Sequence, residues 1–107
     1  MRNAGLSPVQ RESLMDVRID PHTLERALER GASEAEILDV LQHGTLTPVG
    51  EHRFSKARVY RFGKTRLGRY YEEKRVEVIY TVEGKALVTV TVYAFYGKWE
   101  EESANPL

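Results

Sequence analysis

From Lys74 to Phe95 the chain reads KRVEVIYTVEGKALVTVTVYAF, with an apolar residue at every second position on both sides of a Val-Glu-Gly stretch. Successive side chains of a strand point to opposite faces, so this alternation predicts a β-hairpin with one dry face and one wet face. The register follows from burial. A loop of Val82, Glu83 and Gly84, with Gly84 left-handed, pairs Tyr80 with Ala86, Val78 with Val88 and Val76 with Val90. The even face then carries Val76, Val78, Tyr80, Ala86, Val88, Val90 and Val92, and the odd face Arg75, Glu77, Thr81, Lys85, Thr89, Thr91 and Tyr93. A two-residue loop would mix Val with Thr and Glu on both faces, and a slip of one residue exchanges the faces entirely.

An apolar sheet face needs a cover, and the residues before it supply helices. Asp20 is placed to cap, Pro21 suits the first turn and Gly31 suits a left-handed stop, which predicts a helix over 21–30. Ser33 and Glu36 form the S-x-x-E capping box of a second helix, whose apolar arc is Ile37, Leu38, Val40 and Leu41 and which Gly44 closes. Ser7-Pro8 suggests a further short helix ahead of these. Downstream, Pro48 and Gly50 break an early extended piece, RVYRF at 58–62 is β-prone, and Gly63 and Gly68 punctuate a loop-like stretch. The expected fold class is α+β: two or three N-terminal helices packed on one face of a three- or four-stranded antiparallel sheet. The domain organisation expected is a flexible N-terminus over 1–7, a single domain over 8–98 and an acidic flexible tail over 99–107, with Trp99 the residue best suited to tether that tail.

At 107 residues the chain fits one domain, and the lack of cysteine removes disulfides and thiol chemistry. No apolar run is long enough for a membrane span and no signal peptide is readable, so a cytoplasmic protein is expected. Sixteen Lys and Arg balance sixteen Asp and Glu, but the charges are not mixed evenly. Between His52 and Arg75 stand nine cations (Arg53, Lys56, Arg58, Arg61, Lys64, Arg66, Arg69, Lys74 and Arg75) against Glu72 and Glu73 alone. A local field of that sign attracts a polyanion even when the whole molecule is neutral. Phe54, Tyr60, Phe62, Tyr70 and Tyr71 are interleaved with those cations, which is what single-stranded RNA binding uses, and also what a solvated edge strand with core-plugging aromatics looks like.

Two further features bear on chemistry. His22, Arg26 and Arg30 stand four apart and stack in one stripe if 21–30 is helical. With Leu24 as zero and the apolar face centred on Leu24, Ala27 and Leu28, the stripe lies at roughly 160°, 200° and 240°, directed away from the core. It is either a solvated face laced with ion pairs to Glu25 and Glu29 or a grip for an anion, with His22 held neutral by the helix N-terminus. On the odd face of the hairpin Thr91 and Tyr93 are reactive types that also suit a half-exposed strand. His22, His43 and His52 lack metal-ligand spacing, and there is no phosphate-cradling glycine loop, so neither metal nor cofactor is expected.

The pattern H-x-x-x-R-x-x-x-R-G-x-S-x-x-E-I-x-x-V-L, read at His22, Arg26, Arg30, Gly31, Ser33, Glu36, Ile37, Val40 and Leu41, is followed by Y-E-E-K-R-V-E-V and T-V-Y. Over roughly residues 20–98 it resembles the bacterial domain of unknown function 4258, with Ala32 where that family commonly has Ile. The layout of helices before an antiparallel sheet is similar to that of the RelE and BrnT toxins, metal-independent endoribonucleases. What this resemblance implies is cleavage at a 2′-hydroxyl, with His22 as base, Arg26, Arg30 and Arg58 as phosphate clamp and Tyr93 as acid. Arg61, Arg66 and Lys74 of the basic segment extend the expected RNA surface. The partner implied is RNA, with an antitoxin or other protein partner in addition. A non-catalytic protein-interaction module, docking through an exposed strand edge, is the alternative expectation.

Overall fold

The computed structural model describes residues 16–99. In chain order it holds β1 (Asp16–Arg18), α1 (Pro21–Arg30), α2 (Glu34–His43), β2 (Thr45–Gly50), β3 (Arg53–Arg66), β4 (Arg69–Glu83) and β5 (Ala86–Gly97). The sheet is five-stranded in the order β1-β5-β4-β3-β2. This corrects the expected three or four antiparallel strands: β1 pairs parallel with β5, matching Asp16, Val17 and Arg18 to Ala86, Leu87 and Val88. A strand precedes the helices, and both described helices pack on one face of the sheet. The short helix expected after Ser7-Pro8 and the terminal segments 1–7 and 100–107 lie outside the described residues.

The helix ends form as their residues dictate. The Asp20 carboxylate accepts from the backbone N–H of His22 and Thr23, and Gly31, at φ 94°, returns its N–H to the last turn. The Ser33–Glu36 capping box closes reciprocally at the start of α2. Gly44 ends α2 where a Cβ would stand 2.6 Å from the Val40 carbonyl and 3.0 Å from that of Ala57, so the chain turns there only without a side chain.

The hairpin forms with a different register. Its loop is the two residues Gly84 and Lys85, because Glu83 pairs with Ala86 and Val82 with Leu87. Gly84 at φ 63° takes the first central position, as a two-residue turn of the II′ kind requires. The burial argument that disfavoured this turn is answered by a bulge. Tyr80 pairs with Thr89 but Ile79 with Thr91, so Val90 is an extra residue on β5. Beyond it the parity of β5 changes: Leu87 and Thr89 are buried on one side of the bulge and Val92 on the other, while Val88 and Val90 are half-buried. On β4 the even face holds, with Val76, Val78 and Tyr80 fully buried.

The core gathers Ala27 and Ala32 with Ile37, Val40 and Leu41 of α2 on Val76, Val78, Tyr80, Leu87 and Val92 of the sheet. Helix α1 sits turned by roughly a sixth of a revolution from the orientation expected. Its buried residues are Thr23 and Ala27, while Leu28 is 58% exposed. The cause is the edge of β5. Past Val88 no strand among the described residues covers that edge, and α1 supplies donors: Thr23 Oγ1 donates to the Val90 carbonyl at 3.3 Å and Arg30 Nη1 to that of Val92 at 2.6 Å.

Candidate nucleic-acid interface

Strands β3 and β4 run on past the end of β5. Gly97 is the last β5 residue in the ladder, opposite Glu73, while β3 and β4 stay paired through Lys64–Tyr71, Thr65–Tyr70 and Arg66–Arg69. The stretch expected to be loop-like is therefore a two-stranded arm. Gly63 does not end the strand: at φ 59° it sits where the register shifts between Arg61 and Lys64, a bulge that twists the ribbon. The turn at the tip is Leu67-Gly68.

Many of the cations counted in the sequence are consumed by the fold. The buried Lys56 gives its ammonium to the Leu41 carbonyl at 2.7 Å, in the last turn of α2, and stands 5.9 Å from the Tyr80 ring centre. Lys74 is 7% exposed and bonds to the Gly31 carbonyl at 2.8 Å and to Glu36 at 2.9 Å. Arg66 Nη2 donates to the Glu29 carbonyl at 3.2 Å and stacks on Tyr96, whose hydroxyl donates to the Arg30 carbonyl at 2.8 Å. The negative end of a helix is a natural seat for cations, and here sheet side chains occupy it at both helices. Arg58 is held by Asp39 at 2.7 Å, and Tyr60 donates to the same carboxylate. Burial first, then the hydrogen bond to Asp39 and its charge, pushes the Tyr60 hydroxyl well above its usual range, against an opposing pull from Arg58. The Tyr96 hydroxyl is also raised, by burial first.

Arg75 lies 3.6 Å from Glu77 and Arg53 is exposed at the start of β3, away from the arm; the exposed cations of the arm itself are Arg61, Lys64 and Arg69. Among them stands Tyr70, 61% exposed. Tyr70 lines two shallow grooves: one of about 250 Å³ with Arg61, Gly63, Glu72 and Glu73, and one of about 460 Å³ with Arg69, Tyr71, Glu72, Tyr96 and Lys98. Lys64 lies 5.6 Å from the Phe62 ring centre and Arg69 5.8 Å from that of Tyr71, so the arm is a ladder of cations over aromatic rings. Its two carboxylates are engaged. Glu73 accepts from the Trp99 backbone N–H at 2.7 Å, and Glu72 lies 3.6 Å from Lys98.

Of the residues expected to cut RNA, Arg30 and Tyr93 are brought together, while His22 lies near the other end of α1 and Arg58 on another strand. The His22 side chain is 85% exposed, with Glu25 at 4.0 Å, and Arg26 is exposed beside it. Arg30 leaves the stripe, reaches round the β5 edge and puts its guanidinium 5.3 Å from the Tyr93 ring centre. His22 and Arg30 are eight residues apart on α1, about 12 Å along its axis. Arg58 lies on β3, two strands from β5, or roughly 10 Å across the sheet. Among the described residues no three His, Cys, Asp or Glu cluster to hold a metal ion. Sequence reasoning counted Lys64, Arg69 and Tyr70 in the basic segment but did not single them out. Their distinguishing signal is position near a hairpin apex, which R-L-G-R spells once the strands are known to continue.

Comparison of the chain with protein-family models, with curated proteins and with solved structures found no match to any of them. The resemblances drawn from the sequence rest on the quoted residues alone.

Proposed function

We propose that this domain binds single-stranded RNA along the β3–β4 arm, and that it does so without cutting it. The observation that carries this reading is Tyr70, an aromatic ring left 61% exposed beside Arg61 and Arg69, with Lys64 on the same arm. An exposed ring offers a stacking surface to any base, and cations spaced along a ribbon follow a phosphate backbone. Lys74, Arg58 and Arg66 fasten the helices and are not part of the proposed contact surface, and His22 and Tyr93 have no catalytic part in it. The test is retention of a labelled U-rich 12-mer across a salt series. Three phosphate contacts correspond to an affinity loss of roughly 20-fold between about 50 and 200 mM salt. Joint replacement of Arg61, Lys64 and Arg69 by Gln is expected to abolish retention, and Tyr70→Ala to weaken it by roughly 1–3 kcal/mol. Retention that survives the triple replacement, or none by the parent at low salt, overturns the reading.

One observation favours a protein partner instead. Tyr93 and Phe95 stand 6.0 Å apart on the sheet face opposite the helices, 40% and 43% exposed. An apolar partner on that face would bind with little response to salt, which separates it from the arm.

A further inference from the structure

The apex of the arm breaks two local rules at one residue. Leu67 and Gly68 form the turn with φ of 52° and 82°, so both central residues are left-handed, as a two-residue turn of the I′ kind requires. Glycine, asparagine and aspartate adopt that conformation readily, whereas leucine is disfavoured there because its Cβ crowds the backbone. Nothing in the fold recovers that cost through packing, since Leu67 is 93% exposed, the highest figure among the exposed large apolar residues. Arg66 and Arg69 are paired in register across the turn, with Arg66 turned to Tyr96 and Arg69 to Tyr71. The turn lies beyond the three-stranded ladder, with its neighbour Arg66 reaching back to the Glu29 carbonyl of α1. Five residues separate Glu73, the last β4 residue in the three-stranded ladder, from Gly68, which at strand rise is roughly 17 Å. A bare aliphatic side chain, strained and held out on a cationic stalk, is suited to inserting against stacked bases, where apolar wedges do their work.

We propose that Leu67 is such a wedge and that the preferred ligand is an RNA stem-loop, with the unpaired loop along Tyr70 and the cations and Leu67 pressed on the exposed face of the closing base pair. This rests on the reading of the arm as an RNA-binding surface and adds the class of RNA. Single-stranded loops next to a stem present both elements at once, an accessible backbone and a flat apolar end.

The experiment uses the full chain and two probes: a stem-loop carrying 2-aminopurine next to its closing pair, and an unstructured RNA of the same base composition. The parent is expected to prefer the stem-loop by about tenfold and to change the fluorescence of the reporter base. Leu67→Asn suits the turn better, so its thermal midpoint is expected to rise, which removes misfolding as an explanation. That variant is expected to bind the unstructured RNA as the parent does and to lose both the preference and the fluorescence change. If Leu67→Asn keeps the parent's affinity for the stem-loop, the wedge is overturned while the arm reading stands, provided the Arg61, Lys64 and Arg69 replacements still abolish binding. If the parent retains neither RNA, the arm reading falls and the wedge with it. Binding to phosphatidylserine vesicles that stem-loop RNA does not displace would assign Leu67 to a lipid surface and overturn the proposal.

Discussion

Lys74 shows how a charged residue becomes part of a core. Its ammonium satisfies the Gly31 carbonyl at the end of α1 and the Glu36 carboxylate at the start of α2, so one side chain closes the joint between the two helices. We expect Lys74→Met to cost about 2–3 kcal/mol in urea denaturation, since it removes the cation from the half-buried Glu36 carboxylate and the donor from the Gly31 carbonyl, whereas an ordinary surface charge costs under about 0.5 kcal/mol. Gly31 makes a comparable test. A Cβ there would collide with the Tyr96 hydroxyl, press on Arg66 Nη1 at 3.0 Å and occupy a left-handed backbone. Gly31→Ala should therefore destabilise by about 2 kcal/mol, measured in the same way. The tyrosines set a pH limit. Both Tyr60 and Tyr96 have hydroxyl pKa values raised in the folded state, so above the unfolded value of about 10 the unfolded chain releases protons that the native state keeps. Stability is then full below that pH and falls as pH rises through it. Tyr60→Phe is expected to flatten the fall in an alkaline denaturation series, and an unchanged slope would show that the Asp39 contact does not hold the proton.

At the scale of elements, α1 is best understood as the cover of a strand edge. Thr23 and Arg30 supply donors to Val90 and Val92, the carbonyls that a neighbouring strand would otherwise take. Combining Thr23→Val with Arg30→Ala is expected to cost about 2–3 kcal/mol and to produce association that grows with protein concentration, readable by light scattering. The caps at Asp20, Gly31, Ser33 and Glu36 were legible from sequence because capping is local chemistry, settled within four residues. The orientation of α1 was not, because Leu24, Ala27 and Leu28 give an apolar face by composition, while the carbonyls that turn it toward Thr23 and Arg30 belong to a strand some seventy residues away. The bulge at Val90 was hidden for a related reason. Val88, Val90 and Val92 continue one alternation in the sequence, and nothing in valine announces that Thr89, whose hydroxyl accepts the Asp20 N–H at 3.1 Å, is the residue that faces in.

For the whole molecule, the sheet divides into a body covered by helices and a two-stranded arm that meets α1 through Arg66. Hydrogen exchange should report this division: amides at Val76, Val78 and Tyr80 are expected among the slowest, near the global opening free energy, with the arm rows from Lys64 to Tyr71 exchanging orders of magnitude faster. Uniform protection would contradict the architecture. The helices-over-sheet layering was readable from the even face of β4, whereas β1 was not, since Asp-Val-Arg is too short to carry a period. The cation count pointed to a polyanion, yet only geometry separates Arg61, Lys64 and Arg69 from the cations that fasten helix ends. The placement of β1 and α1 against β5 has one more implication, for synthesis. Both are made before the strand they are seated on, so during translation α1 lacks the edge it covers until Ala86–Gly97 has left the ribosome. A truncated nascent chain ending before β5 would hold an unshielded sheet margin and an unplaced helix, and would be a client for chaperones rather than a partly finished domain.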